Sequence, residues 1–202
     1  MAPDAERPLR ADAQRNRGKI LTAAVRVFAE EGLDAHLERI AREAGVGIAT
    51  LYRNFPTREA LVEAAYRNEV AQLCDVVPDL LATEPPLEAL RAWTRLFMDY
   101  ARAKLGMADA LRAVAASGSN PHAQSHDMIQ NAIGSLMEAC TTAGVIRADI
   151  SPTDLFAALA GIALTSAKPE QREQAERLLD LTLDGLKATA ADSCTPDATS
   201  LH

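Results

Sequence analysis

The chain has 202 residues, enough for one large core or two modest ones, and its 48% apolar and 24% charged content is ordinary for a globular protein. The longest apolar run, residues 155–164, is far below the roughly 20 residues a membrane span needs, and no charged-then-apolar leader is visible, so a cytoplasmic protein with no membrane partner is expected. The formal charge of −7 is unevenly spread: residues 1–60 carry ten Lys/Arg against nine Asp/Glu, and the remaining 142 carry eleven against nineteen, so the acid lies away from the N-terminal part.

Three widely spaced cysteines, Cys74, Cys140 and Cys194, suggest neither a disulfide framework nor a metal-binding CxxC pair, and fit a reducing compartment. In chain order, residues 1–12 lack apolar periodicity and read as a loose N-terminal arm. Arg7 and Arg10, then Arg15, Arg17 and Lys19, are placed to track a sugar-phosphate backbone or a minor groove. Ile20, Ala24, Val27 and Phe28, widened by Leu21 and Val25, then mark a first amphipathic helix that Glu30-Glu31-Gly32 ends. Leu37, Ile40, Ala41 and Ala44 mark a second, closed by Gly45, which can take the positive φ that ends a helix and allows a sharp change of direction.

The stretch GVGIATLYRNFPTREAL, residues 45–61, is the most informative segment. After the turn, Leu51 and Phe55 are the strong apolar pegs of a short helix that otherwise presents Gly47, Ile48, Ala49, Thr50, Tyr52, Arg53 and Asn54. Small residues permit close approach, and hydroxyl, amide and guanidinium groups stand beside them, a composition suited to insertion into a DNA major groove. Pro56 ends this helix by pushing its predecessor out of the α region, and Thr57 is placed to cap the next, so Arg58 sits where a helix start can meet phosphate.

On these residues, 14 to about 65 resemble the N-terminal domain of TetR-family transcriptional regulators. The resemblance is carried by Ile20-Leu21 with Ala24 and Phe28, Gly32, Ile40-Ala41, Ala44-Gly45-Val46, Thr50-Leu51-Tyr52-Arg53, Phe55 and Arg58-Glu59-Ala60-Leu61. It implies that 47–54 is a recognition helix, with Ile48, Ala49 and Thr50 facing base edges, Tyr52, Arg53 and Asn54 holding phosphates, and Arg17 and Arg58 adding backbone contacts. Two departures stand out. Many members carry a hydroxyl residue at the position of His36 or Leu37 and another at Gly47, where this chain has none.

Further helices are predicted over 58–77, 86–105, 107–117, 121–143, 152–167 and 169–189, separated by Pro78, Pro85-Pro86, Gly106, Gly118-Ser119-Asn120-Pro121, Gly144, Ser151-Pro152 and Lys168-Pro169, with residues 190–202 a flexible tail. Trp93, Phe97 and Tyr100 share one helix face, extended by Leu90. With Met107, Leu111 and Met128 they are candidate walls of a small-molecule pocket, or plain core. His122 and His126 are four apart, but two ligands do not make a metal site, and neither metal nor cofactor is expected. The last two helices are too apolar for one monomer to cover. Phe156, Ala157, Ala160, Gly161, Leu164, Leu178, Leu179, Thr182, Gly185 and Leu186 are the expected homodimer interface, a four-helix bundle made two from each chain, as the resemblance also implies.

The expected fold is therefore all-α with about nine helices: a helix-turn-helix head over 13–60 and a helical ligand-binding and dimerisation domain over 61–189. The resemblance implies a homodimeric repressor released from a near-palindromic double-stranded DNA operator by a small-molecule inducer. A helical carrier or an enzyme without DNA binding is the rival, although no Ser/His/Asp grouping or glycine-rich phosphate loop is visible.

Overall fold

The structure is a computed structural model that describes residues 6–118, 124–166 and 168–188. These form ten α-helices: α1 Glu6–Glu31, α2 Leu37–Glu43, α3 Ile48–Asn54, α4 Arg58–Asp75, α5 Val77–Thr83, α6 Pro86–Gly106, α7 Ala108–Ala116, α8 Ser125–Thr142, α9 Pro152–Thr165 and α10 Arg172–Leu186. Short 3₁₀ turns occupy Gly32–Asp34 and Pro169–Gln171, and among the described residues no strand forms, only an isolated bridge between Ile146 and Lys187.

The helix boundaries arise from local chemistry. α2 ends in a Schellman motif: Gly45 has φ 67°, Val46 N–H donates to the Ala41 carbonyl and Gly45 N–H to that of Arg42. α8 closes the same way at Gly144, also at φ 67°, with Val145 N–H on the Cys140 carbonyl. α4 opens on the Thr57 hydroxyl, which accepts from Ala60 N–H at 3.1 Å. α9 opens on a capping box in which Ser151 and Asp154 each accept the other's backbone N–H, with Pro152 in the first turn.

Some boundaries depart from expectation. α1 begins at Glu6, so the described part of the expected arm is helical. Pro78 does not simply end a helix but sits in the first turn of α5, where its missing N–H costs no hydrogen bond. α8 starts at Ser125 rather than 121, and Pro169 opens a 3₁₀ turn before α10. Residues 1–5 of the arm, Ser119 to Pro121, His122 and the tail with Cys194 lie outside the described residues.

The described residues fall into two compact units, one drawn from Met1–Gln72 and Asp99–Asp127, the other from Leu73–Met98 and Met128–His202. In the first, Ile20, Ala24, Val27, Phe28, Ile40, Leu51, Phe55 and Leu61 form a core at no more than 2% exposure. Gly106, the last residue of α6, lies so close to Ala29 of α1 that a Cβ built on it would stand 2.8 Å from the alanine Cβ, so this glycine serves close approach rather than a turn. In the second unit the core gathers Leu90, Trp93, Ile133, Leu136, Cys140, Leu155 and Leu159.

A candidate nucleic-acid interface

α3 is held by two fully buried pegs. Leu51 is 0% and Phe55 2% exposed, and the rest of the helix surface is turned outward: Gly47, Ile48, Ala49, Tyr52 and Arg53 are exposed, Thr50 and Asn54 half-buried. The exposed positions 48, 49, 52 and 53 share one face of a 3.6-residue helix, turned away from Leu51, and Phe55 follows the helix in extended backbone as its C-cap. Ile48 at 37% and Tyr52 at 46% are among the most exposed large apolar side chains described. A single-turn anchor with an open outer face is the geometry a groove-reading helix requires.

The flanking cations are not equivalent. Arg17, exposed on α1, stacks its guanidinium over the Phe55 ring, 4.4 Å from the centroid, and so stands beside the C-terminal end of α3. Arg58 is turned inward: it donates to the Ala35 carbonyl and lies 5.7 Å over the Phe28 ring. Asn54 folds back on its own helix, its amide donating to the Thr50 carbonyl at 2.8 Å. Of the side chains expected to hold phosphates, Tyr52 and Arg53 face outward, whereas Asn54 and Arg58 commit donors to the head itself.

Behind this surface, α1 and α2 are braced by an ionic network around Arg39, which pairs with Glu30, Glu31 and Glu43, while Arg26 also pairs with Glu43. The Arg39 hydrogen bond holds the Glu31 carboxyl below its usual value, and the Arg26 hydrogen bond does the same for Glu43. The network was not legible in the sequence. Glu30-Glu31 read only as a helix end, and its members are up to seventeen residues apart.

The aromatic stripe of α6 divides between the two units. Trp93 and Phe97 stack with centroids 5.7 Å apart, Phe97 meets Phe156 edge-on at 6.0 Å, and the Trp93 indole donates to the Leu73 carbonyl at 2.8 Å. Tyr100, Met107 and Leu111 belong to the first unit and are buried, with the Tyr100 hydroxyl 3.1 Å from that of Tyr66. Met128 is 38% exposed. On α9 and α10, Ala157, Gly161, Leu164 and Gly185 are exposed and Phe156, Ala160, Leu178 and Thr182 half-buried.

Leu179 and Leu186, expected at the subunit interface, are instead turned into the chain's own core with Ala175 and Leu183, which repeat at the helical period. Leu181, which the stripe reading passed over, is 69% exposed. Burial raises the Cys74 and Cys140 thiols to about 11, so neither is an activated thiolate at neutral pH. Among the described residues no group of three or more His, Cys, Asp or Glu is arranged to hold a metal, and no helix is long and apolar enough to cross a membrane.

A three-helix head whose third helix is pegged from beneath, reached through a glycine turn and open on its outer face, defines a helix-turn-helix nucleic-acid-binding protein. The family model for bacterial regulatory proteins of the tetR family matches residues 20–65, and that for the transcriptional regulator SbtR-like C-terminal domain matches 85–188. Among solved structures, the TetR transcriptional regulator SCO0520 of Streptomyces coelicolor is 75% identical over 86% of this chain and 99% of that one, with a TM-score of 0.85. A TetR transcription regulatory protein of Mycobacterium vanbaalenii is 35% identical over 90% of this chain and 100% of that one, with a TM-score of 0.74. An HTH-type transcriptional regulator of Staphylococcus aureus (strain USA300) is 43% identical over 54 residues, a match covering 26% of this chain and 29% of that relative's length. The chain belongs to the TetR family of DNA-binding transcriptional regulators.

Proposed function

We propose that the protein is a cytoplasmic homodimeric repressor that holds a near-palindromic operator and leaves it when a small molecule binds. The observation that carries this reading is the outer face of α3, where Ile48, Ala49, Tyr52 and Arg53 are exposed above the buried pegs Leu51 and Phe55. Ile48, Ala49 and Thr50 meet base edges. Tyr52, Arg53 and the Phe55-stacked Arg17 meet phosphates, with Gly47 allowing close approach. Arg58 and Asn54 act mainly by fixing the head.

Two subunits join through α9 and α10 and present their recognition helices to successive major-groove faces, about 34–36 Å apart. The working division is a head over 13–60 and an effector domain over 61–189, linked by α4, which runs unbroken from Arg58 to Asp75. The effector site draws on Trp93, Phe97 and Met128, which belong to one unit. An inducer must bind the non-DNA state better than the DNA state, since equal affinity for both shifts nothing.

The test is gel retardation of the DNA just upstream of the coding region, at low salt because phosphate contacts release counterions. The native protein should shift that fragment, and Tyr52→Ala with Thr50→Ala should abolish the shift while leaving the helical circular dichroism unchanged. An undiminished shift would remove α3 as the reader.

A further inference from the structure

The leading part of the α3 face is chemically unusual for a base-reading surface. Its first exposed side chains, Ile48 and Ala49, carry no hydrogen-bond donor or acceptor, and Ile48 leaves 37% of its surface in water. The one amide on the helix, Asn54, is already donating to the Thr50 carbonyl, so it is not presented for the paired hydrogen bonds by which an amide reads adenine. Arg53 stands at the other end of the helix, away from the first turn. In that turn only Thr50 is polar, and its single half-buried hydroxyl cannot supply the two donors by which the N7 and O6 of guanine are read together.

In the major groove the thymine 5-methyl group is the apolar feature that distinguishes one base pair from another. The other groups that tell the base pairs apart there are donors or acceptors, which an aliphatic side chain would strip of water without replacing the hydrogen bond. We infer that Ile48 and Ala49 select thymine through its 5-methyl group, so that the operator half-site carries thymine under the first turn of α3. Tyr52, Arg53 and Arg17, at the far end of the same surface, fix the register on phosphates, Thr50 meets a base edge through its hydroxyl, and the aliphatic pair supplies the choice of thymine. Ile48 is then a specificity-determining residue: the methyl contact covers apolar surface that the free protein leaves exposed.

This inference rests on the DNA-binding reading above, and its test separates the two. Duplexes are first enriched from random sequence with the full-length protein. In the enriched duplex each thymine is then replaced, one at a time, by deoxyuridine, which removes only the methyl group. At the thymine under Ile48 the native protein should lose about fourfold in affinity, the change that burial of one methyl-sized group supports. In Ile48→Ala the same replacement should change affinity by less than about twofold, because the partner of the methyl is gone. A duplex indifferent to uracil at every thymine overturns the inference and leaves DNA binding standing. So does undiminished uracil sensitivity at that position in Ile48→Ala. Failure to enrich any duplex removes both. Ile48 is exposed, so folding of the variant is checked by its unchanged thermal midpoint.

Discussion

Trp93 donates its indole N–H to the Leu73 carbonyl in the last turn of α4, where carbonyls have no partner within their own helix. The ring is 0% exposed and stacked on Phe97, so its first role in this state is to join α6 to the end of α4. Trp93→Phe keeps most of the apolar area but leaves that carbonyl unpaired. The substitution should cost about 1–3 kcal/mol, read as a lowered urea midpoint with the slope unchanged. A midpoint equal to the native one would mean that water satisfies the carbonyl as well as the indole does. Arg17 belongs to the same scale: its position beside α3 is fixed by an aromatic ring thirty-eight residues away in sequence, at a residue that reads there as no more than an apolar peg.

At the scale of elements, the packing of α2 on α1 rests on an apolar seam reinforced by the Arg39 network. The sign of its pH dependence is set by the carboxylates. Glu31 and Glu43 have folded values depressed below 4.5, so the support they give is complete above that value and is lost as pH falls through the lower folded values. Resistance of the native protein to urea should therefore decline as pH drops below 4.5. In Arg39→Leu much of that decline should vanish, because the hydrogen bond that depresses Glu31 is gone. An identical acid dependence in the variant would show that the exposed ions contribute nothing measurable, as many surface pairs do not. The short α5 belongs here as well. Pro78 punctuates the sequence, and whether a proline stops a helix or starts one depends on the residues after it, here Asp79 and Leu80 already in helical register.

At the scale of the whole molecule, the apolar surface left on α9 and α10 bears on assembly. Leu164 is 68% and Leu181 69% exposed, with the exposed Gly161 and Gly185 allowing close helix approach. Gly161→Glu with Leu181→Glu should give a folded monomer by analytical ultracentrifugation, one that holds a half-site only weakly. Leu179→Glu should behave differently, unfolding the chain rather than separating subunits, because that leucine is 5% exposed within its own protomer. A dimer that survives the double substitution would place the interface elsewhere.

The amino-acid sequence by itself determined the helical class, the turn at Gly45, the cap at Thr57, the break at Ser151-Pro152, and the pegs Leu51 and Phe55, because each depends on residues within a turn or two of one another. Local sterics and helical periodicity act over that range. Only the tertiary structure decided that Arg58 and Asn54 are tied into the head, that Arg17 rests on Phe55, and that Leu181 rather than Leu179 and Leu186 faces outward from α10. A long side chain can reach several partners, and an amphipathic helix can present either edge of its stripe. Which one is realised is set by elements packed against it from far along the chain, and periodicity carries no record of them.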